Sequence, residues 1–525
     1  MGRQDILTDD DLRSIAKYGL TTAEVFRQLD LFKMPPPYLK LVRPCTRGDG
    51  IKFVKKEQLQ ALVETYEEES PKRRCLKFVP ASGAASRMFK ILLGELNKEK
   101  EILRKHVEKE VQAGQKSRQE LLEFMVRARD FAFFEDLKSL MSKNGIQIET
   151  LLREGRFADI MRSLLGKLGL NYANMPKGLL KFHQYADGSR TAFEEHLVEA
   201  AFYIAAQDGQ CHLHFTVSPE HMENFRSLFL RIKPLYEQKC QVSFRITFSV
   251  QKKSADTIAV DLDNNPFRDE KGGLLFRPGG HGSLIENVND LDGDIVFIKN
   301  IDNVVPDRLK VETYKWKKIL GGYLISLQNQ LFSYMEKLSS GISDDSFFNE
   351  VTAFIKDELS LPVPLVTEKA SPEKKKAFLM KSLNRPLRIC GMVKNAGEPG
   401  GGPFWVRDSS GGITPQIVET AQVNPDSKEQ QSILASSTHF NPVDLVCGIR
   451  DWQEMPFDLR QYVDEKAVFI SKKSKDGQEL KALEHPGLWN GAMAQWITLF
   501  VEVPIITFNP VKTVNDLLRE EHQPG

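Results

Sequence analysis

Cysteine is scarce in this chain. Six cysteines, at positions 45, 75, 211, 240, 390 and 447, are scattered over 525 residues. They form no Cys-x-x-Cys pair and no dense framework, which reads as reduced thiols and predicts a reducing, cytoplasmic setting. Long apolar runs are missing too. No uninterrupted stretch of about eighteen apolar residues occurs, and no basic flank with an apolar stretch opens the chain, so neither a membrane span nor a standard export signal is expected. Met1-Gly2-Arg3 starts like a myristoylation site, but Ile6 stands where Ser or Thr is needed. Neither sign of charge dominates. Lys and Arg number 72 against 71 Asp and Glu, leaving +1, with no excess of basic charge to hold a nucleic-acid backbone. The absence of Gly-x-Ser-x-Gly removes support for a Ser-His-Asp hydrolase. No His or Cys pair has the local spacing of a structural or protease zinc site. Internal repeats and low-complexity segments are also absent.

What is present is an ordinary globular composition, 41% hydrophobic and 27% charged. The length exceeds the usual domain of about 100 to 200 residues, so two or three lobes are expected. Residues 1–70 read as an N-terminal helical arm or cap, with the helix start Thr8-Asp9-Asp10-Asp11 and the extended Pro35-Pro36-Pro37. Residues 71–385 read as an α/β core. Strands are expected at Cys75–Pro80, His212–Val217, Val242–Val250 and Asp294–Ile298, with helices at 219–239 and 282–290. A mostly parallel sheet covered by helices follows from that alternation. Between about 91 and 170, apolar residues recur at three- and four-residue spacing among charges, which reads as an inserted helical lobe. A second helical block is expected at 307–359. Ser371-Pro372-Glu373-Lys374-Lys375-Lys376 suits an exposed connector, and residues 386–525 form a glycine-rich, strand-rich C-terminal region.

Four segments have the residue types that chemistry needs. The loop Ala81-Ser82-Gly83-Ala84-Ala85-Ser86-Arg87 follows a strand and precedes an expected helix start at Arg87-Met88-Phe89. Small residues there let backbone N–H groups approach phosphate oxygens, with Arg87 facing them. The loop is neither a Walker loop nor Gly-x-Gly-x-x-Gly, and a purely structural turn remains the commoner use of such a segment. Pro278-Gly279-Gly280-His281-Gly282 surrounds one histidine with glycines, as a close-approaching ligand or a tight turn would require. Asp302-Asn303 ends a strand, the usual ligand edge of an open α/β sheet, where Asp302 could hold Mg²⁺ against phosphate oxygens. The cluster Gly391-Met392-Val393-Lys394-Asn395-Ala396-Gly397-Glu398-Pro399-Gly400-Gly401-Gly402-Pro403-Phe404-Trp405, dense in glycine beside aromatics, reads equally as a ligand loop or a hairpin. His439 reads first as a structural histidine.

The ordered set of these segments resembles the UDP-sugar pyrophosphorylases, including the UDP-N-acetylhexosamine branch. Gly83 and Arg87 match the family fingerprint. Ser86 and Met88 stand for its Thr and Leu, while Ser82 and Ala85 replace two glycines. Pro176-Lys177-Gly178 supplies the family's Pro-Lys-Gly ninety residues beyond Arg87, a gap that the inserted lobe explains. Lys90 is the rival catalytic lysine, and the flanking Pro and Gly favour Lys177. Gln251 resembles the glutamine near the base, and Gly280, His281 and Gly282 resemble the loop that receives nucleotide and sugar. Asp302 resembles the metal-binding Asp, Glu419 the residue on sugar hydroxyls, and His439 the later His-Phe. Lys512, in Phe508-Asn509-Pro510-Val511-Lys512-Thr513, resembles the lysine that approaches phosphate.

The resemblance implies a Rossmann-like, glycosyltransferase-A-like nucleotidyltransferase fold with a mixed sheet. It implies Mg²⁺ as cofactor and UTP, or a related nucleoside triphosphate, with a sugar 1-phosphate as substrates. Arg87, Lys177 and Lys512 would be catalytic. Two alternatives stand beside it. One is a non-catalytic nucleotide-sugar-binding protein, motivated by Ser82 and Ala85. The other is a glycosyltransferase, for which Asp261-Leu262-Asp263 or Asp292-Gly293-Asp294 would supply the Asp-x-Asp motif.

Overall fold

A computed structural model describes residues 7–35, 37–342, 344–364, 370–397, 401–408 and 411–525. Of the segments named above, Met1-Gly2-Arg3 with Ile6, Pro36 and Glu398-Pro399-Gly400 lie outside the described residues. The chain forms two units, each assembled from three segments. One comprises Met1–Cys75, Gln251–Ile298 and Lys318–Ile505, the other Leu76–Val250, Lys299–Lys317 and Ile506–Gly525.

In the first unit the strands Thr46–Arg47, Gly50–Lys52, Ile497–Glu502, Leu387–Lys394, Asp444–Gly448 and Ile295–Lys299 lie side by side in that order. Pairing is parallel up to Leu387–Lys394 and antiparallel between Leu387–Lys394 and Asp444–Gly448. Every residue of Asp444–Gly448 and Ile295–Lys299 is buried, as in a sheet covered on both faces. Two smaller sheets accompany it. Phe276–Pro278, Asp256–Val260, Gln478–Glu484 and Phe469–Lys475 form one, and Lys40–Pro44, Gly402–Arg407 and Ile413–Val418 form the other. The acid-rich start at Thr8 is a capping box that opens the helix Asp9–Tyr18. The segment expected as a connector is instead the helix Pro372–Leu383. Ser371 accepts a hydrogen bond from the Lys374 N–H, and Pro372 occupies the first turn, where its missing N–H costs nothing.

In the second unit Cys75–Pro80, Gln210–Thr216 and Ser243–Ser249 run parallel in that order. The helix Met222–Cys240 makes the crossover between the last two. From Lys90 to Leu165 the chain is helical, through Lys90–Lys98, Arg104–Gln112, Gln119–Val126, Phe134–Lys143, Ile148–Glu154 and Ala158–Leu165. The three- and four-residue apolar spacing buries Phe124, Phe131, Phe133, Phe157 and Leu164 there, with the Phe131 and Phe133 rings stacked at 4.8 Å. The protein is thus mixed α/β with a helical insertion. No described helix is long and apolar enough to cross a membrane, and all six cysteines are free thiols.

Candidate active site

The small-residue loop leaves the strand Cys75–Pro80 with the Ala81 N–H donating to the Thr216 carbonyl at 2.8 Å. Ser82, Gly83 and Ala84 are exposed, whereas Ala85 is fully buried. No protein atom within 4 Å would meet a Cβ added at Gly83, so packing does not demand glycine at that position. The expected helix start at Arg87 is replaced by a short 3₁₀ turn, Ala85–Arg87, and the helix begins at Lys90. Backbone pairing explains the delay. The Ala85 N–H donates to the Met175 carbonyl at 3.0 Å, and the Lys177 N–H donates to the Gly83 carbonyl at 3.3 Å. Pro176 thereby bridges directly to Ala84.

This bridge brings Pro176-Lys177-Gly178 back to the loop it was expected to follow. Gly178 is buried, and a Cβ there would meet the Phe225 ring at 2.9 Å and Ile301 at 3.3 Å, so glycine is needed for that close approach. The Lys177 ammonium donates to Asp302 Oδ2 and to the Val511 carbonyl, each at 2.7 Å. The pair is mostly buried, with 15% of the lysine and 19% of the aspartate side chain exposed. An ammonium has three N–H groups, so one remains beyond these two bonds. Lys90 opens its helix as an exposed residue.

The turn at Asp302-Asn303 also pairs with the segment before Lys512. The Val511 N–H donates to the Asp302 carbonyl at 3.1 Å, and the Asn509 N–H donates to Asn303 Oδ1 at 2.9 Å. The Val514 N–H donates to the Met88 carbonyl at 3.1 Å, just past Arg87. Arg87 and Lys512 have exposed side chains. Gly83, Arg87, Lys177, Asp302 and Lys512 therefore lie on segments tied to one another by backbone or side-chain bonds.

The first unit holds the other expected residues. His281 Nδ1 accepts a hydrogen bond from the Leu488 N–H at 3.1 Å, and the ring stacks on Trp489 at 4.4 Å. In the neutral ring the proton therefore sits on Nε2, which faces Glu419 Oε1 at 3.6 Å. The two residues come together from positions far apart in the chain. A Cβ on Gly282 would meet the Pro486 carbonyl at 2.1 Å, and Gly280, at φ +76°, packs on Glu484. The glycines of this loop are thus used by the neighbouring Glu484-His485-Pro486 segment. Beside Glu419, Gln422 accepts from the Glu419 N–H at 3.0 Å and lines a cleft of about 750 Å³ with Gln416, Asn490 and Gln495. Gln251 has a buried Nε2 with no hydrogen-bond partner. His439 is buried with both nitrogens engaged, by Thr438 Oγ1 at 2.8 Å and Glu502 Oε2 at 3.2 Å.

The Asp-x-Asp candidates serve local structure. Asp261 Oδ1 accepts from the N–H groups of Asp263 and Asn265. Asp292 and Asp294 are both paired with Arg74 and Arg450. Among the described residues no group of three or more His, Cys, Asp or Glu is placed to hold a metal ion.

The model of a family described as "Domain of unknown function (DUF4301)" matches residues 8–523. The chain belongs to this family. A comparison with curated proteins found no match. Solved structures similar to the chain include uridine diphosphate N-acetylglucosamine pyrophosphorylase from Trypanosoma brucei in complex with inhibitor. It is 10% identical over 94% of this chain and 74% of that one, with a TM-score of 0.46. A UDP-glucose pyrophosphorylase mutant from Leishmania major in complex with UDP-glucose is 11% identical over 98% and 80%, with a TM-score of 0.44. A UDP-glucose phosphorylase from Trypanosoma brucei is 12% identical over 98% and 80%, with a TM-score of 0.42.

Sequence reasoning missed the charged groups beneath the second-unit segments. All nine residues of the helix Ala192–Ala200 are buried, among them Glu194, Glu195, His196 and Glu199. Glu199 accepts from Lys77 at 3.0 Å and from Lys299 at 2.8 Å, each pair fully or almost fully buried. Burial would raise the Glu199 carboxyl, but Lys299 and Lys77 outweigh it and hold it well below its usual value. Burial pushes Lys77 down to about 8 against the pull of Glu199. In the unfolded chain that lysine keeps its proton to about pH 10.4. Between the two values the unfolded state binds more protons, so stability rises with pH across that window. The unfolding free energy of the wild type should therefore gain on that of Lys77→Met between pH 8 and 10, by at most about 1.4 kcal/mol per unit. Urea titrations at several pH values measure this, and a constant difference would reject it.

Proposed function

We propose that the protein is a nucleotidyltransferase that joins a sugar 1-phosphate to UTP, or a related nucleoside triphosphate, with release of pyrophosphate. The observation that carries this reading is the convergence on Lys177. The lysine is bridged to the small-residue loop, bonded to Asp302 and bonded to the residue before Lys512. Such a set answers one chemical need, the neutralisation of charge on phosphate oxygens.

In the proposed reaction an oxygen of the sugar phosphate attacks the α-phosphorus as the bond to the β-bridging oxygen breaks, and pyrophosphate leaves in line. Arg87 is assigned to the β- and γ-phosphates, Lys177 to the transferring phosphoryl group and Lys512 to the sugar phosphate. Gly83, where no packing contact demands glycine, lets backbone approach the nucleotide. Gln251, with its unpartnered amide, is assigned to the base. Glu419, with the amide-lined cleft beside it, is assigned to sugar hydroxyls together with His281, and His439 supports that region. No side chain is required as a covalent nucleophile.

Asp302 suits Mg²⁺. Its Oδ2 is taken by Lys177, and Mg²⁺ is usually held by one or two carboxylates with substrate phosphates and waters rather than by an all-protein cage. When bound, the ion would neutralise charge on the phosphate oxygens.

The test is pyrophosphate release by the purified chain with UTP, Mg²⁺ and a panel of sugar 1-phosphates. Release with at least one sugar is expected. Silence across the whole panel and across other nucleoside triphosphates would overturn the reading. Tight UDP-sugar binding without exchange of labelled pyrophosphate into UTP would replace it with a non-catalytic binder.

A further inference from the structure

The helix Ala192–Ala200, with sequence Ala192-Phe193-Glu194-Glu195-His196-Leu197-Val198-Glu199-Ala200, is buried along its whole length. A helix enclosed on all sides is ordinarily apolar all round. This one carries three carboxylates and an imidazole, which can be buried only if each is partnered.

The partners lie on the segments of the candidate phosphate site. Glu199 bonds Lys77, on the strand that runs into the small-residue loop, and Lys299, three residues before Asp302. His196 Nε2 meets the Ile301 carbonyl at 3.1 Å, one residue before Asp302. A carbonyl can only accept, so the imidazole donates there. Nδ1 is buried with no hydrogen-bond partner. Glu195 bonds His183 Nδ1 at 2.9 Å, and His183 Nε2 meets Nδ1 of His522 at 2.9 Å. His522 belongs to the terminal segment that also carries Val511 and Lys512. Three neighbouring positions on one helix thus reach the loop strand, the Asp302 turn and the Lys512 segment.

Buried ion pairs seldom add net stability over apolar side chains of the same volume, because desolvation offsets their attraction. Hydrogen bonds add direction. We propose that this helix sets the register of the phosphate site, with His196 and Glu199 as positioning residues that fix Asp302 and the small-residue loop. Neither residue touches substrate. The proposal rests on the assignment of Lys177, Asp302 and Lys512 to phosphate, and it extends that assignment to the groups that aim them.

Hydrogen exchange followed by mass spectrometry on the full chain tests it without any substrate. The informative amides are those of Asn509 and Val511, which donate to Asn303 and Asp302. His196→Phe keeps the bulk and removes the donor. His196→Gln can return an N–H to the Ile301 carbonyl. Val198→Ala loosens packing on the same helix and touches no hydrogen bond. His196→Phe should speed exchange in peptides covering 300–304 and 508–513 by about tenfold, the scale of one lost hydrogen bond. His196→Gln should return most of that protection, and Val198→Ala should not single out these peptides.

Equal patterns in His196→Phe and Val198→Ala, or no recovery with His196→Gln, would overturn the proposal. If His196→Phe does not fold, Glu199→Gln takes its place. It should speed exchange in 76–80 and 300–304 together, and no change there would be equally decisive against the proposal. Pyrophosphate release read on the same variants separates the two ideas. Altered exchange with an inactive wild type rejects the chemistry alone. An active wild type whose kcat/KM and exchange are both indifferent to His196→Phe rejects the positioning alone.

Discussion

Lys177→Ala should lower kcat/KM for pyrophosphate release by about 100- to 1,000-fold, the range seen when a preorganised donor to a developing charge is removed, ~2.7–4 kcal/mol. The expectation follows from placement. Lys177 is held by two bonds of 2.7 Å, to Asp302 and to the Val511 carbonyl, so its charge is aimed before any substrate arrives. Lys90→Ala is the control and should change the rate by about twofold at most, as exposed positions do. The structure gives Lys90 no tie to Asp302 or to the Val511 segment. A damaging Lys90→Ala beside a harmless Lys177→Ala would reverse the assignment of the catalytic lysine. Unfolding curves for both variants establish that the loss is one of chemistry. The same experiment should show a higher requirement for Mg²⁺ in Asp302→Asn.

The largest expected effect on stability comes from Glu195→Ala, at about 3–5 kcal/mol, because it leaves buried charges without their partner. Glu195 accepts from His183 at 2.9 Å and from the Tyr185 hydroxyl at 2.7 Å, and it is ion-paired with Lys310. Arg190 and Asp307 complete the cluster through a bidentate pair at 2.7 and 2.8 Å. Burial by itself would raise the Glu195 carboxyl, but Lys310, the His183 bond and Arg190 outweigh it and hold it far below the usual range. For a carboxylate depressed on folding, the stabilisation is complete above the unfolded value and is lost as pH falls towards the folded one. The advantage of the wild type over Glu195→Ala should therefore be constant above about pH 5 and shrink progressively below it. Urea unfolding at pH 7 and pH 3 measures both parts. A loss below 1 kcal/mol at pH 7, comparable to that of the exposed Glu270→Ala, would show that the cluster does not bear on stability.

Much of this was legible in the sequence where a signal is local. The apolar run Cys75–Pro80 is a strand, Thr8 caps a helix, and the three- and four-residue spacing beyond Lys90 marks the insertion. The return of Pro176-Lys177-Gly178 to the Gly83 loop was legible only through the order of motifs, since no local pattern announces a contact across ninety residues. The helix Ala192–Ala200 was not legible at all. Three glutamates and a histidine within nine residues give no local sign of burial, and the lysines that partner Glu199 lie 122 and 100 residues away. The Ser371 segment was misread because a lysine run suggests exposure, which is correct, and exposure does not exclude a capped helix. The glycines at Gly280 and Gly282 carried a signal whose cause is ambiguous in sequence. A ligand and a packed neighbour both exclude a Cβ, and the structure shows the neighbour.

The bridge between Ala84 and Pro176 has a bearing on how the molecule is assembled in time. The lysine assigned to phosphoryl transfer cannot reach its loop until a ninety-residue excursion has closed, and the entropy of closure grows only slowly with its length. Because that excursion consists of short helices with local contacts, it can gather itself early. The insertion then works as a spacer of fixed span. Its two ends meet at one pair of backbone bonds, so Arg87 and Lys177 enter from opposite ends of the same closed excursion.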